Sequence, residues 1–424
     1  MFKTGREKPR RKMMSKPILV IGGGFSGITA ALEAAEVGYE VYIVEKTPYL
    51  GGRVAQLNKY FPKLCPPSCG LEIQFQRIKK NPRVKFFTMA EVTKVSGQAG
   101  DYNVSIRINP RHTAPANADL SAIAETLDGE TSNEFNFGLD KRKGLYKDMP
   151  FAFPARYVVD KTACTEDDLN KVAASQYVDL NEEAKNIELS VGSIVLATGW
   201  KPYDVTKLTN LGAGEVPNCV TNMQMERIAA PNGPTKGQIV RPSDGKAPKK
   251  ICFVQCAGSR DQNHLNYCSY ICCMASLKQA LYVREQYPDA ECTVYYIDMR
   301  TPERYDKFRR RALEDEKINL VKGKVAGVEA DPSGDVIVEV EDAVRGIKKK
   351  VRYDMVVLAT GMQPSLAGAK LPFDVPVDEE GFITGGEEKG IFTAGCAKKP
   401  LDVMKSAQSG TGAALKAIQT VRGR

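Results

Sequence analysis

Apolar residues gather along the chain in short runs set off by polar or glycine-rich punctuation. The first, Lys16 to Ile21 (KPILVI), stops at Gly22-Gly23-Gly24-Phe25-Ser26-Gly27. A stretch of helical spacing, Ile28 to Val37, closes at Gly38, and a second run, Glu40 to Val44, leads into Glu45-Lys46. Runs this short, bounded by glycine, read as buried strands, and the longer stretch as the helix between them. The alternation returns later: a strand at Lys250 to Gln255, a helix at Ser269 to Gln286 and a strand at Glu291 to Asp298. Two further runs, Ser193 to Gly199 (SIVLATG) and Met355 to Gly361 (MVVLATG), both end in Ala-Thr-Gly. Gly390 to Ala397 (GIFTAGCA) reads as a strand, and Asp402 to Val421 as a long helix. From about Asn109 to Ile187 no period holds. That polar, irregular segment is too long for a simple connection and is expected to be an insertion, a lid or docking surface.

Alternating strands and helices predict an α/β chain with parallel sheets. The opening unit of strand, glycine turn, helix, strand and acid is that of a Rossmann domain. Gly22 permits the tight turn, Gly24 lets the backbone approach a pyrophosphate, and Gly27 lets helix and strand pack closely. The pyrophosphate meets N–H groups at the helix N-terminus, where the dipole favours negative charge. Glu45, 18 residues past Gly27, is placed to take a ribose hydroxyl, which favours FAD or NAD over NADP. A second glycine pair, Leu50-Gly51-Gly52-Arg53, and the two Ala-Thr-Gly strands resemble the flavin branch of two-dinucleotide-binding flavoproteins. That resemblance implies FAD, with its ring near Gly52, Arg53 and Cys396, the last standing where many such proteins have Asp. Phe25, Ser26, Lys46, Val92, Thr198, Gly199 and Gly395 complete the set expected around the cofactor.

The expected fold is therefore α/β, two Rossmann-like domains with an irregular insertion. Residues 1–15 form a basic leader, 16–246 the first part of the FAD domain with the insertion at about 109–187, 247–361 the second domain, and 362–424 the return to the first. The second domain lacks a glycine cradle: Cys256-Ala257-Gly258-Ser259-Arg260 follows its first strand, so NAD(P) binding is not expected there. Cysteines take the place of the glycines. Cys256, Cys268, Cys272 and Cys273 are spaced C-x11-C-x3-C-C, with Cys268 one helical turn before the adjacent pair. Thiolates are soft ligands that suit iron–sulfur clusters or zinc; the alternative is a set of small buried thiols. Pro66 and Pro67 are expected to make a rigid turn that holds Cys65 and Cys69 close, as redox thiols, ligands or structural thiols.

Composition narrows the choice further. The 424 residues are 42% hydrophobic and 26% charged, which allows two or three packed domains and excludes wholesale disorder. Residues 1–16 carry +6 of the net +9, so the body of the chain is no nucleic-acid binder by charge. The leader has no apolar core of a secretory signal, and Met13-Met14 offers an alternative start. No run approaches the roughly 18 apolar residues of a membrane span, so any membrane role is expected to come through a partner. Eleven cysteines without an export signal point to cofactor ligands or redox thiols rather than a disulfide scaffold. Two histidines, His112 and His264, exclude a His-rich metal site.

The run QCAGSRDQNHLNYCSYICC (255–273), taken with the flavin motif and AGCAKKPLDV near the end, closely resembles the A-type flavoprotein subunit of heterodisulfide reductases. The likeness covers nearly the whole chain from about Lys16. LNKYFPKLCPPSCGLEI (57–73) and the compact length look most like the branch found in the quinone-interacting membrane-bound oxidoreductase complex of sulfate reducers. The resemblance implies a [4Fe–4S] cluster on Cys256, Cys268, Cys272 and Cys273 beside the FAD. It implies electron traffic between a menaquinone pool and adenylylsulfate reductase, in the cytoplasm, at the membrane through partners. Those partners are a haem- or quinone-binding membrane subunit together with a homologous flavoprotein subunit; the resemblance also leaves room for a dimer. YVVDKTACTEDDL (157–169) looks like a ferredoxin motif with only Cys164 left, so ferredoxin clusters are expected to be absent. Two other readings stand beside this one: an NAD(P)H-dependent disulfide oxidoreductase using Cys65 and Cys69, and a flavin-retaining scaffold.

Overall fold

The structure is a computed structural model that describes residues 16–114 and 118–423. The basic leader and Met13-Met14 lie outside the described residues. In chain order the α-helices are α1 (Phe25–Glu36), α2 (Pro67–Lys80), α3 (Ser121–Glu125), α4 (Glu166–Ala173), α5 (Asn222–Ala229), α6 (Cys272–Gln286), α7 (Tyr305–Leu313) and α8 (Val403–Val421).

Ile18–Ile21 is buried at every position because it is the middle strand of a five-stranded parallel sheet. Its neighbours are Val41–Glu45 on one side and Ser193–Leu196 on the other, with Val84–Thr88 and Ile391–Thr393 at the edges. One face packs on α1, α2 and α8 through residues such as Ile28, Leu32, Leu71 and Ala414. The other packs on a three-stranded antiparallel sheet, Ala90–Gln98, Asp101–Ile108 and Lys185–Val191, through Val104 and Ile106. The insertion is the connection between the last two of those strands. It is not featureless: Leu120, Leu127, Leu145, Val159 and Val172 form a small core of their own, and Thr165 closes a capping box on α4.

The chain leaves the first domain through Trp200–Pro202 and returns through Met362–Pro364, two strands that pair with each other antiparallel. Between them lies a seven-stranded sheet ordered Cys219–Thr221, Met355–Thr360, Lys250–Ala257, Glu291–Tyr296, Ile318–Ala330, Val336–Asp342 and Ile347–Tyr353. The first five strands are parallel and the last two close as an antiparallel meander. Residues 203–246, expected with the flavin domain, sit with this second sheet instead. Cys219–Thr221 is only three residues long and carries no period that sequence could register. Among the described residues no helix is long and apolar enough to cross a membrane.

Candidate functional site

A cavity of about 550 Å³ runs from the first glycine turn to the N-terminus of α6. At one end the chain turns at Gly22, whose backbone is left-handed (φ +109°) and where a Cβ would meet the Ala197 carbonyl oxygen at 2.2 Å. A Cβ on Gly27 would lie 1.9 Å from the Gly22 oxygen, so this glycine serves packing and does not line the cavity. Gly24 is different. Among the described residues a Cβ there finds no protein atom nearer than Gly52 Cα at 3.9 Å, and no side chain caps the first turn of α1. The space before those N–H groups is left to a ligand, as a pyrophosphate would require.

Glu45 is buried, and its carboxylate accepts from the Gly23 N–H (2.6 Å), the Thr47 N–H (2.8 Å) and the Thr47 hydroxyl. It pins the glycine turn as well as facing the cavity. The cavity also collects Phe25, Ser26, Lys46, Gly52, Arg53, Val92, Thr198, Gly199 and Cys396. Gly395 stands behind it, packed against Ser26. Among the described residues the buried Thr198 hydroxyl has no hydrogen-bond partner, and Arg53 is steered by the Trp200 carbonyl and Gln56. Burial pushes the Cys396 thiol up to about 11. Asp402, which sequence reading missed, lines the cavity and caps α8 by accepting from the Lys405 N–H at 2.8 Å. An open cradle before Gly24 and an orphaned hydroxyl at Thr198 are what a bound FAD would fill.

The far wall belongs to the second domain. Cys272 opens α6 and lines the cavity, followed along the helix by Ala275, Lys278 and Gln279. Cys256, next to last in the strand Lys250–Ala257, is left-handed (φ +57°), and Arg260 and Tyr270 in the following loop share that strain. Because Tyr270 cannot continue a helix in that conformation, α6 begins at Cys272 rather than Ser269. Cys268 therefore approaches from the loop, not from one helical turn earlier. The Tyr270 N–H reaches the Cys268 sulfur at 3.4 Å and the Arg300 N–H the Cys273 sulfur at 3.4 Å. The Arg260 guanidinium faces the Cys256 thiol and pairs with Asp298 at 2.9 Å.

Burial pushes the Cys272 thiol well up, with Cys273, Cys256 and Cys268 adding to the effect, and lifts Cys273 to about 11. Burial also raises Cys256, against the opposing pull of Arg260. The four thiols are thus near enough to feel one another's charge. Among the described residues, no three His, Cys, Asp or Glu side chains gather as a single ion would need. Among the described residues the amide of Gln255, which precedes Cys256, and the hydroxyls of Ser259 and of Ser276 on α6 are buried without partners.

Cys65 and Cys69 do not sit on a turn. Pro66 caps α2 and Pro67 takes its first position, where a missing N–H costs nothing, so Cys69 lies in the first helical turn. Cys69 is exposed and Cys65 half-buried. Both lie beside the Tyr60 phenol, which lines the cavity and whose pKa burial raises, the two thiols adding to it. Cys164 is held in the insertion, against Gly144.

One buried group was not legible beforehand. Glu226 on α5 and Lys278 on α6, 1% and 2% exposed, pair at 3.0 Å in the cavity wall. Glu226 also accepts from Gln279 (2.6 Å) and from the Asn58 N–H (3.0 Å), while Lys278 donates to the Lys59 carbonyl. Burial lowers the Lys278 pKa and Glu226 opposes it.

Residues 17–63 match the family of FAD dependent oxidoreductases. Over almost its full length the chain is similar to three archaeal proteins. It is 37% identical to the second iron-sulfur A subunit of the CoB–CoM heterodisulfide reductase of Methanopyrus kandleri, covering 94% of this chain and 63% of that protein. It is 34% identical to the A subunit of the H(2):CoB-CoM heterodisulfide,ferredoxin reductase of Methanothermobacter thermautotrophicus, covering 96% and 64%. The third is the heterodisulfide reductase A-subunit-like protein of Archaeoglobus profundus, 33% identical over 96% of this chain and 66% of that protein. The chain thus spans somewhat less than two thirds of the length of these relatives. Among solved structures, the thioredoxin reductases of Lactococcus lactis and T. acidophilum share the fold. Their TM-scores are 0.54 and 0.51 at 14% identity, over 96% and 97% of this chain and 100% and 98% of theirs.

Proposed function

The chain belongs to the A-type subunits of heterodisulfide reductases, a family of FAD-dependent oxidoreductases, and from that premise we propose that it relays electrons between FAD and a [4Fe–4S] cluster held by Cys256, Cys268, Cys272 and Cys273. The observation that carries the reading is the shared cavity: its near wall is the glycine turn and its far wall begins at Cys272. Two cofactors that exchange electrons need to lie close together. Four thiols that sense one another's charge suit a shared cofactor, and the buried polar atoms left without partners among the described residues are available to it. FAD, when bound, can exchange electrons in pairs with one partner and singly with a cluster.

The residues of this chain then have defined tasks. Gly24 leaves room for the pyrophosphate, Glu45 holds the turn and the ribose, and Arg53 and Asp402 fix polar contacts around the ring. The N–H groups of Tyr270 and Arg300 hold sulfur, and hydrogen bonds to sulfur set a cluster's reduction potential. The wider role is that of one component in a complex. It links a membrane quinone module, with a homologous flavoprotein subunit beside it, to adenylylsulfate reductase; a related sulfur pathway is the alternative. Co-purification from gently solubilised membranes tests that assignment.

Iron and sulfide near four each per chain, with an EPR signal on reduction, are expected from anaerobically prepared protein. Zinc, or no metal, would sink the cluster. A second reading rests on Cys65 and Cys69 beside Tyr60 at the cavity: an NAD(P)H-dependent disulfide oxidoreductase. Stopped-flow mixing with NADH separates the two. Rapid stoichiometric flavin reduction favours the second reading, and its absence the first.

A further inference from the structure

The four thiols face two different directions. Cys272 opens onto the flavin cavity, whereas Cys268 is half-buried and takes the N–H of Tyr270, a residue 52% exposed. The Arg300 guanidinium sits over that tyrosine ring, 5.9 Å from its centroid, and the Arg300 N–H holds the Cys273 sulfur. Tyr270 and Arg300 together cap two of the thiols from the solvent side. From Arg300 the chain runs straight into α7, which packs on α6 through Tyr305 and Phe308 against Met274 and Leu277. Arg304, Lys307 and Arg311 recur at i, i+3 and i+7, so they form one stripe of that helix. All three are exposed. Among the described residues none has a carboxylate within ion-pairing distance, while their neighbours Arg309 and Arg310 both pair with Asp306.

We infer that this face is where the cluster exchanges electrons with a separate protein, and that the partner is an acidic one-electron carrier. The inference rests on the cluster reading above and extends it, giving the cysteine site an inner side toward the flavin and an outer side toward the carrier. An exposed aromatic at the thiol edge supplies the apolar centre of a contact. A stripe of unpaired cations beside it supplies the charge that steers an acidic surface into register. Each exchange moves one electron between cluster and carrier; no bond is made or broken and no proton moves.

The test uses the full chain with its flavin bound and its iron content established. Stopped-flow mixing with an excess of reduced plant-type [2Fe–2S] ferredoxin, an acidic one-electron carrier, should reduce the cluster at a rate that falls about tenfold or more as salt rises. The variant Arg304→Glu/Lys307→Glu/Arg311→Glu should slow the low-salt rate about tenfold or more and flatten the salt dependence. Its EPR signal and reduction potential should stay unchanged, and reduction by methyl viologen, a small cation, should be as fast or faster. Tyr270→Asn keeps a residue that tolerates the left-handed backbone, and should raise the half-saturating ferredoxin concentration. Salt-independent reduction of the wild type, or a triple variant as fast as wild type, overturns the assignment of the face and leaves the cluster standing. Iron-free protein overturns the cluster, and this inference with it.

Discussion

Replacing Gly24 with valine separates the cofactor from the fold, because among the described residues no protein atom crowds the added Cβ. The Gly24 backbone is extended (φ −74°, ψ −179°), a conformation that a β-branched residue adopts readily, and the nearest protein atom to an added Cβ is 3.9 Å away. The folding cost is then limited to the weaker capping preference of an apolar residue, about 1 kcal/mol. The ligand suffers more. Valine branches into the space before the first-turn N–H groups of α1, where two charge-assisted hydrogen bonds to a pyrophosphate contribute about 1.5–3 kcal/mol each. Losing both costs roughly 3–6 kcal/mol, on the order of a 10²–10⁴-fold weaker Kd. The assay is the ratio of released FAD to protein after gel filtration, beside a thermal melt compared with wild type stripped of flavin, since bound ligand raises apparent stability. Full flavin content in Gly24→Val would refute the placement of the pyrophosphate. So would a melt several kcal/mol below that of stripped wild type, which would show that the site is structural.

Gly27→Ala is the opposite case: its Cβ would lie 1.9 Å from the Gly22 oxygen, so stability should drop with or without flavin, and a normal melt contradicts the packing role. Lys278→Met leaves the Glu226 carboxylate buried without its cation and should cost about 3–5 kcal/mol in urea denaturation. Lys278→Met/Glu226→Gln should recover much of that, and a double variant no better than the single one argues against the pair. Burial lifts the Asp148 carboxyl to about 6, with Arg142 and Arg111 opposing. Its folded pKa lies above the unfolded value, so the folded chain binds the extra proton and stability falls as pH rises from about 4 to about 6. Asp148→Asn should remove that slope and stabilise the protein at pH 7 by at most ~3 kcal/mol, and an unchanged slope in denaturation curves would contradict it.

Local features were legible in sequence, and features assembled across the chain were not. The glycine turn, Glu45 and the Ala-Thr-Gly strands can be read because each is one short segment with its own geometry. Pro66-Pro67 misled, since the same dipeptide that breaks a helix is also suited to start one, and α2 follows directly. The core of the insertion escaped notice because Leu120, Leu145 and Val172 lie far apart in sequence, on elements too short to set a period. The Glu226–Lys278 pair joins two helices whose patterns look ordinary one at a time. Lys278, the one charged residue among the buried positions of α6, was the signal available. The helical placement of Cys268 failed because nothing in its residue type announces the left-handed Tyr270 that delays the helix.

The route of the chain through its two sheets also sets an order of assembly. Residues 203–361 are one uninterrupted stretch, whereas the flavin sheet is built from both sides of it. Its middle strand, Ile18–Ile21, is synthesised before that stretch, but the edge strand Ile391–Thr393 and helix α8, which packs on α1, are synthesised after it. The second domain can bury its core and gather its four thiols while the flavin sheet is still open at that edge. The wall that carries Cys272 can thereby stand before the cavity closes against it.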